Sequence, residues 1–257
     1  MTRLFILALN CSLLIGCAST KASLDPYDHI DDKKVVAILK QSFATLGGLE
    51  NWQSKKELHY QKLTRNLEES GETESEVFQS HDYYYGDQAS INISWIEDND
   101  EVHKIKSVAN QAIKYVDDKS DSSADQATLN NSITVSLFVI NVPFKMIDKG
   151  VELSYEGKET LEDGQEVDII KAVYNADTNP HHTKSDLWWY YFDTKDARMV
   201  AYFIFHDGHF SYIKNLDYTT VNGFLLPTKR GSYLVDENRQ ILRKKVDYEY
   251  LNWQVVK

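Results

Sequence analysis

Cys17 carries the most sharply specified chemistry in this sequence. Arg3 precedes a largely apolar run from Leu4 to Ile15, and Leu14-Ile15-Gly16-Cys17 closes it. A segment this short enters the export machinery yet is too brief to span a bilayer, and a small residue before a thiol suits a peptidase acting where the sulfur has accepted a lipid. The pattern predicts that residues 1–16 are a lipoprotein signal removed from the mature chain and that Cys17 becomes its lipidated N-terminus. Residues 17–27 then form a polar tether carrying Ser19, Thr20, Lys21, Ser23 and Asp25. Attachment to a membrane rests on the acyl chains, each buried methylene contributing about 0.8 kcal/mol. Ala18 follows the cysteine; where Asp at that place retains a lipoprotein in the inner membrane, Ala18 permits transfer to the outer one.

Four histidines gather late in the chain: His181, His182, His206 and His209. If Asp207-Gly208 makes a two-residue hairpin turn, His206 and His209 become cross-strand neighbours able to share a metal ion, with Asp207 or Asp186 as further ligands. Two imidazoles alone fall short of the three or four protein ligands that zinc takes. The pair is therefore a weak candidate, and the plainer reading is a hairpin end with solvated or hydrogen-bonded rings and no metal. There is no serine in a nucleophile elbow and no His-Glu-x-x-His. Glu159, Glu162, Asp163 and Glu166 cluster in a turn region, where solvated charge is the default. No catalytic residue and no cofactor is implied. Cys11 leaves with the signal and Cys17 is consumed by lipid, so the folded part holds no thiol, which excludes disulfides, cysteine catalysis and zinc-thiolate sites. The net charge of −11, more negative still without Arg3, argues against nucleic acid and against a polybasic grip on lipid headgroups.

The elements that would position any site are mostly strands. Asp28 to Leu46 predicts a first helix, with Val35, Leu39, Phe43 and Leu46 on one stripe, Asp31 and Asp32 at its positive end, and Gly47-Gly48 ending it. Trp52 on the following turn reads as a lid over the core. Strands begin near Lys56. Ile91, Ile93 and Trp95 alternate with Asn92 and Ser94, and Asp98-Asn99-Asp100 turns the chain into Glu101 to Val108. A second helix is expected between Asp121 and Asp148, capped by Ser122 or Ser123 and stopped by Pro143, with Phe144 and Met146 turned inward. Val151 to Tyr155 and Val167 to Tyr174 read as strands. Leu187 to Asp193, Arg198 to His206, His209 to Thr219, Phe224 to Val235 and Gln240 to Val255 then form a meander joined by Asp-, Asn- and Gly-rich turns.

Two strands of that meander are apolar on both faces. Leu187 to Phe192 contains Trp188, Trp189, Tyr190 and Tyr191, and Met199 to Phe205 has one face of Met199, Ala201, Phe203 and Phe205 and another of Val200, Tyr202 and Ile204. A sheet wetted on one side would alternate cleanly, so helices should cover one face, and more chain, a partner or a ligand the other. The aromatic residues read as plain core, as the wall of an acyl-chain cavity, or as a sugar platform served by Asn215 or Asp217.

Gly47-Gly48-Leu49 with Trp52, Val142-Pro143-Phe144-Lys145 with Gly157, Leu187 to Asp193, His206-Asp207, and Val221-Asn222-Gly223 with Leu226-Pro227 together resemble a family of bacterial envelope lipoproteins, without an assigned activity, that has the LolA/LolB-like fold. The resemblance spans nearly all of residues 28–257, and it is the order and spacing of the pieces that carries it. It implies a single α+β domain: a curled antiparallel sheet forming an incomplete, open β-barrel around helices, with an apolar cavity between. It also implies a lipid or acyl chain as cargo. Ile91, Ile93, Trp95, Phe138 and Phe144 are candidate lining, together with Trp189, Tyr191, Phe203 and Phe205. The alternative is an interaction module with a filled core, docking to an unidentified envelope protein through its acidic surface.

Overall fold

The computed structural model describes residues 25–257 except 88, 109–110, 176, 178–185 and 207. Cys17, the signal, most of the tether, His181 and His182 lie outside the described residues. Strands β1 (Glu57–Leu67), β2 (Thr73–Tyr84), β3 (Ser90–Ile96), β4 (Val102–Val108), β5 (Gln111–Val116) and β6 (Lys119–Ser120) form one antiparallel meander. A second consists of β7 (Val151–Thr160), β8 (Glu166–Tyr174), β9 (Leu187–Asp193), β10 (Met199–His206), β11 (His209–Val221), β12 (Phe224–Val235) and β13 (Ile241–Val256). Pairing of β1 with β13 joins them into a single thirteen-stranded sheet whose edges are β6 and β7. Those edges do not pair with each other, so the barrel is open. Helix α3 (Gln126–Asn141) and a 3-10 turn (Phe144–Ile147) carry the chain from one edge to the other across the concave face.

The expected strands are present nearly residue for residue, because alternation and turn chemistry agree along them. Asn222 and Gly223 both have positive φ, as a two-residue hairpin turn requires. The helices differ more. Helix α1 spans Lys33–Thr45 and begins later than Asp28, because Asp32 is its cap: Oδ1 accepts from the backbone N–H groups of Lys34 and Val35. Its other oxygen accepts from the N–H of Tyr155 on β7, which fixes the helix to an edge strand. Desolvation pushes the Asp32 carboxyl up, but the N–H groups of Val35, Tyr155 and Lys34 outweigh it and leave the pKa lowered. Trp52 sits on a short helix α2 (Leu49–Ser54), not on a turn. Asp125, rather than Ser122 or Ser123, caps α3 by accepting from Thr128 N at 2.8 Å.

An aromatic knot ties the helices to the sheet. The Phe144 ring lies 5.1 Å from Trp52 in a stacked arrangement and 4.8 Å from Phe43, while Trp52 meets Phe224 edge-on at 5.5 Å. The Trp52 indole N–H donates to Asn141 Oδ1 at the end of α3. Such contacts contribute about 0.5–1.5 kcal/mol each beyond their area. The knot depends on Gly47, which has φ of 108° and lies so close to the β11–β12 turn that a Cβ would sit 2.4 Å from Gly223 O and 2.8 Å from Phe224 Cδ1.

The two-faced strands bury both faces within the chain. Tyr190 and Tyr202 belong to the main core under the helices. Tyr191, Phe203, Val200 and Ala201 belong to a second cluster with Val167, Ile169 and Val235, and Leu161 and Tyr233 pack against it. Arg239, on the β12–β13 connection, closes that outer face: its guanidinium carbon lies 5.1 Å over Trp189 and 5.3 Å over Phe203, and Nη1 donates to Tyr191 Oη at 3.1 Å.

Gly47→Ala should destabilise the protein by about 1–3 kcal/mol more than Gly86→Ala, since both pay for positive φ but only the first creates an overlap. Urea unfolding of the two variants checks this; equal losses would mean the α1–α2 corner yields freely.

Candidate functional site

Beneath α3 lie two adjoining cavities of about 450 Å³ and 510 Å³, a scale usual for small-ligand sites. They share Asn131, Val135 and Val139 from the helix and Tyr202, Ile213 and Tyr248 from the sheet. Cross-strand rows build the floor of the first. Tyr60, His81, Ile93 and Ile105 are successive partners across β1 to β4, and Tyr250, Lys62, Gln79 and Trp95 form a parallel row from β13 to β3. A third row runs Asn215, Arg230, Tyr248 across β11 to β13. Pleating places every member of a row on the same face of the sheet, here the concave one.

The polar groups of this floor are few and under-used. His81 is stacked 4.7 Å from the Tyr60 ring, its Nδ1 lies 3.3 Å from Tyr83 Oη, and its Nε2 is buried without a hydrogen-bond partner. Burial, reinforced by the Lys62 charge, pushes its pKa down to about 3, so the ring is neutral at pH 7. Arg230 is 4% exposed. Its Nη1 donates to Tyr250 Oη at 3.4 Å, and its Nε has no partner among the described residues. Lys62 extends its ammonium over the Tyr248 ring at 5.0 Å. The second cavity is bordered by Phe138, Trp188, Ile204, His206 and His209.

The expected lining is thereby divided. Ile93 and Trp95 border the first cavity and Phe138 the second. Ile91 is buried in the same core without bordering either. Phe144 serves the aromatic knot and borders a separate cavity of about 560 Å³ beside α2, which also contains Lys55. Trp189, Tyr191 and Phe203 lie on the opposite face of the sheet, and Phe205 packs there on Phe210 at 4.7 Å. The nine residues expected to form one wall lie on two faces of the sheet, because neighbouring residues of a strand point to opposite sides. Tyr191 and Phe203 instead line an outer groove of about 630 Å³ with Tyr212, Tyr233 and Arg239.

His206 and His209 do face one another across the β10–β11 hairpin, as its turn implied. His206 Nδ1 lies 2.8 Å from Asp186 Oδ1. No group of three or more His, Cys, Asp or Glu side chains placed to hold a metal occurs among the described residues. Arg230 and His81 escaped the sequence reading. Arg230 shares its parity along β12 with the buried Phe224 and Leu226, and that was the signal available.

No family model matches the sequence, and no curated protein matches it. Solved structures do match. A LolA superfamily protein from Nitrosomonas europaea superposes with a TM-score of 0.52 at 7% identity, over 86% of this chain and 93% of that one. The chain has a LolA-like fold. A putative outer membrane lipoprotein-sorting protein domain from Vibrio parahaemolyticus is similar at a TM-score of 0.50 and 10% identity, over 86% and 91% of the two chains. So is a DUF1329 family protein from Desulfovibrio piger, at 0.51 and 7%, over 86% and 92%. In this LolA-like chain the open barrel and the helix across its mouth are what create the paired cavities.

The unfolded state protonates His81 near pH 6.5 and the folded state only near pH 3, so between these values the unfolded state binds more protons. The stability held by the neutral ring is complete above this window and is lost as pH falls through it, at up to about 1.4 kcal/mol per pH unit. Between about pH 6 and pH 4, His81→Phe should therefore lose stability less steeply than wild type by roughly that slope in urea unfolding. Parallel pH profiles would place the imidazole in water.

Proposed function

We propose that this chain is a non-catalytic envelope lipoprotein, anchored through Cys17 and facing the periplasm from the outer membrane, that holds a lipid or other apolar cargo under α3. The observation that carries this reading is the pair of adjoining cavities between the concave face and a helix that covers them without filling them. Ile93, Ile105, Val139, Ile140 and Ile213 supply an apolar surface suited to acyl chain, and the polar groups present are a few convergent ones. The lipoprotein-type segment ending at Cys17 and the lipoprotein-sorting domain among the similar structures support the envelope setting. An interaction module with a filled core is disfavoured by the same cavities.

Native mass spectrometry of the purified protein, followed by organic extraction, tests the reading. Wild type should carry lipid at near-stoichiometric yield. Val139→Trp, which fills the space shared by both cavities, should lower the retained lipid about tenfold, as about 1.4 kcal/mol of overpacking would. Tyr233→Ala, on the other face, should leave it unchanged. A folded wild type that neither carries lipid nor takes up added long-chain lipid would refute the carrier reading.

A further inference from the structure

Arg230 is a charge that the fold buries and does not neutralise. Among the described residues the buried cations are Lys55 and Arg230, and they meet burial differently. Lys55 donates to Trp52 O at 3.0 Å, lies against the rings of Trp52 and Tyr85, and is pushed by burial down to about 7, so it can give up its proton. A guanidinium has no such escape. Arg230 has one long hydrogen bond to the Tyr250 hydroxyl, a ring face 5.1 Å away, and no carboxylate within ion-pair distance among the described residues. Burial of an ion without a counter-charge is costly, and a cavity opening on it is where a counter-charge would enter.

The lining of the first cavity points the same way. It contains Arg230 and Lys62 but no Asp or Glu, in a chain that has 39 acidic residues against 28 basic. Two buried nitrogens without partners, Arg230 Nε and His81 Nε2, belong to side chains on that lining. Arg230 Nε is a donor in every state, and His81 Nε2 is one in the tautomer whose Nδ1 accepts from Tyr83 Oη, so the guanidinium is the group that an anion satisfies first. Beyond the charge the surface turns apolar, through Ile93, Val139 and Ile213, and continues past Phe138 and Ile204 into the second cavity, whose lining also includes Asp186, His206 and His209.

We propose that the cavity binds single-chain amphiphiles by an anionic head, a carboxylate or a phosphate, seated on Arg230, with the chain running along the underside of α3. This rests on the carrier reading above and adds the class of cargo. Lys62 attracts the head toward the site, and Arg230 receives it in the forked geometry that suits both anions. Cavities of about 450 Å³ and 510 Å³ in series match one chain rather than several.

The test is calorimetric titration of the purified protein, stripped of lipid, with palmitate, hexadecyl phosphate and hexadecan-1-ol, at a pH where both acids are ionised. Wild type should bind the two anions about tenfold more tightly than the alcohol. Arg230→Met should erase that preference while leaving the alcohol unaffected, and Arg230→Lys should retain most of it. Acetate and inorganic phosphate should not displace palmitate; displacement by either at comparable concentration would mean a small-anion site and overturn the amphiphile assignment. Equal affinity of wild type for acid and alcohol would overturn this inference and leave the carrier reading standing. Failure of all three long-chain probes to bind would remove both. If Arg230→Met does not fold, the wild-type ratio of acid to alcohol decides alone.

Discussion

The two free edges of the sheet, β6 and β7, are consecutive in sequence, and much of the molecule follows from that constraint. A chain leaving one edge of a curled sheet and resuming at the other has its shortest path across the concave side. Sixteen residues of α3 make about 24 Å of that crossing, at 1.5 Å per residue. The helix is anchored by Leu129, Ile133, Phe138 and Ile140, but above the first cavity it presents Asn131, Ser132 and Ser136, which are too short to fill the space. The rings below do not rise to fill it either, because they are propped on one another: Tyr60 lies 4.5 Å from Trp253, 5.7 Å from Tyr250 and 4.7 Å from His81. A short-sided helix over a self-supporting aromatic floor is what keeps the space open.

The sheet has two apolar faces that do different things. On the concave face the aromatic residues leave room beside the buried Arg230 guanidinium. On the convex face, around Trp189, Tyr191 and Phe203, the same residue types pack against Leu161, Tyr233 and the Arg239 guanidinium and border the outer groove. The two arginines show the contrast. Arg239 is at the surface, bonded to a tyrosine hydroxyl and lying 3.9 Å from Glu159, whereas Arg230 has a comparable tyrosine and no carboxylate partner among the described residues.

This division shows what the sequence could and could not disclose. Strands with one wet face declare themselves, so β3 and the late meander were legible, and Gly47-Gly48 marked a corner that only glycine can make. The fold class was legible for the same reason and through the LolA/LolB-like resemblance. From Leu187 to Phe192 and from Met199 to Phe205 every position is apolar or aromatic, and alternation then says that two faces exist without saying which is inward; hence Trp189, Tyr191, Phe203 and Phe205 were placed on the cavity wall. Near α3, Asp121, Ser122, Ser123 and Asp125 all have capping chemistry, and packing against β5 rather than local propensity selects Asp125. Lys229-Arg230 reads as solvated charge in a strand. The parity of Arg230 with Phe224 and Leu226 puts it on the inner face, but the neighbours it meets there, Asn215 and Tyr248, follow from register, which is a property of three strands at once.

The junction of β1 with β13 has a further consequence, for the order in which the molecule assembles. Every other strand pair in the sheet joins sequence neighbours, so its hairpins can form locally. Glu57 pairs with Val256, a contact separated by nearly the whole described chain. Long-range closures of this kind are slow, because the entropy of bringing distant segments together is lost before any contact repays it. One row beneath α3 crosses this seam, passing from Tyr250 on β13 through Lys62 on β1 to Trp95 on β3, and the other two end on either side of it. The two meanders can therefore exist as separate halves well before the cavity does, and the concave surface is completed only when the last strand docks against the first.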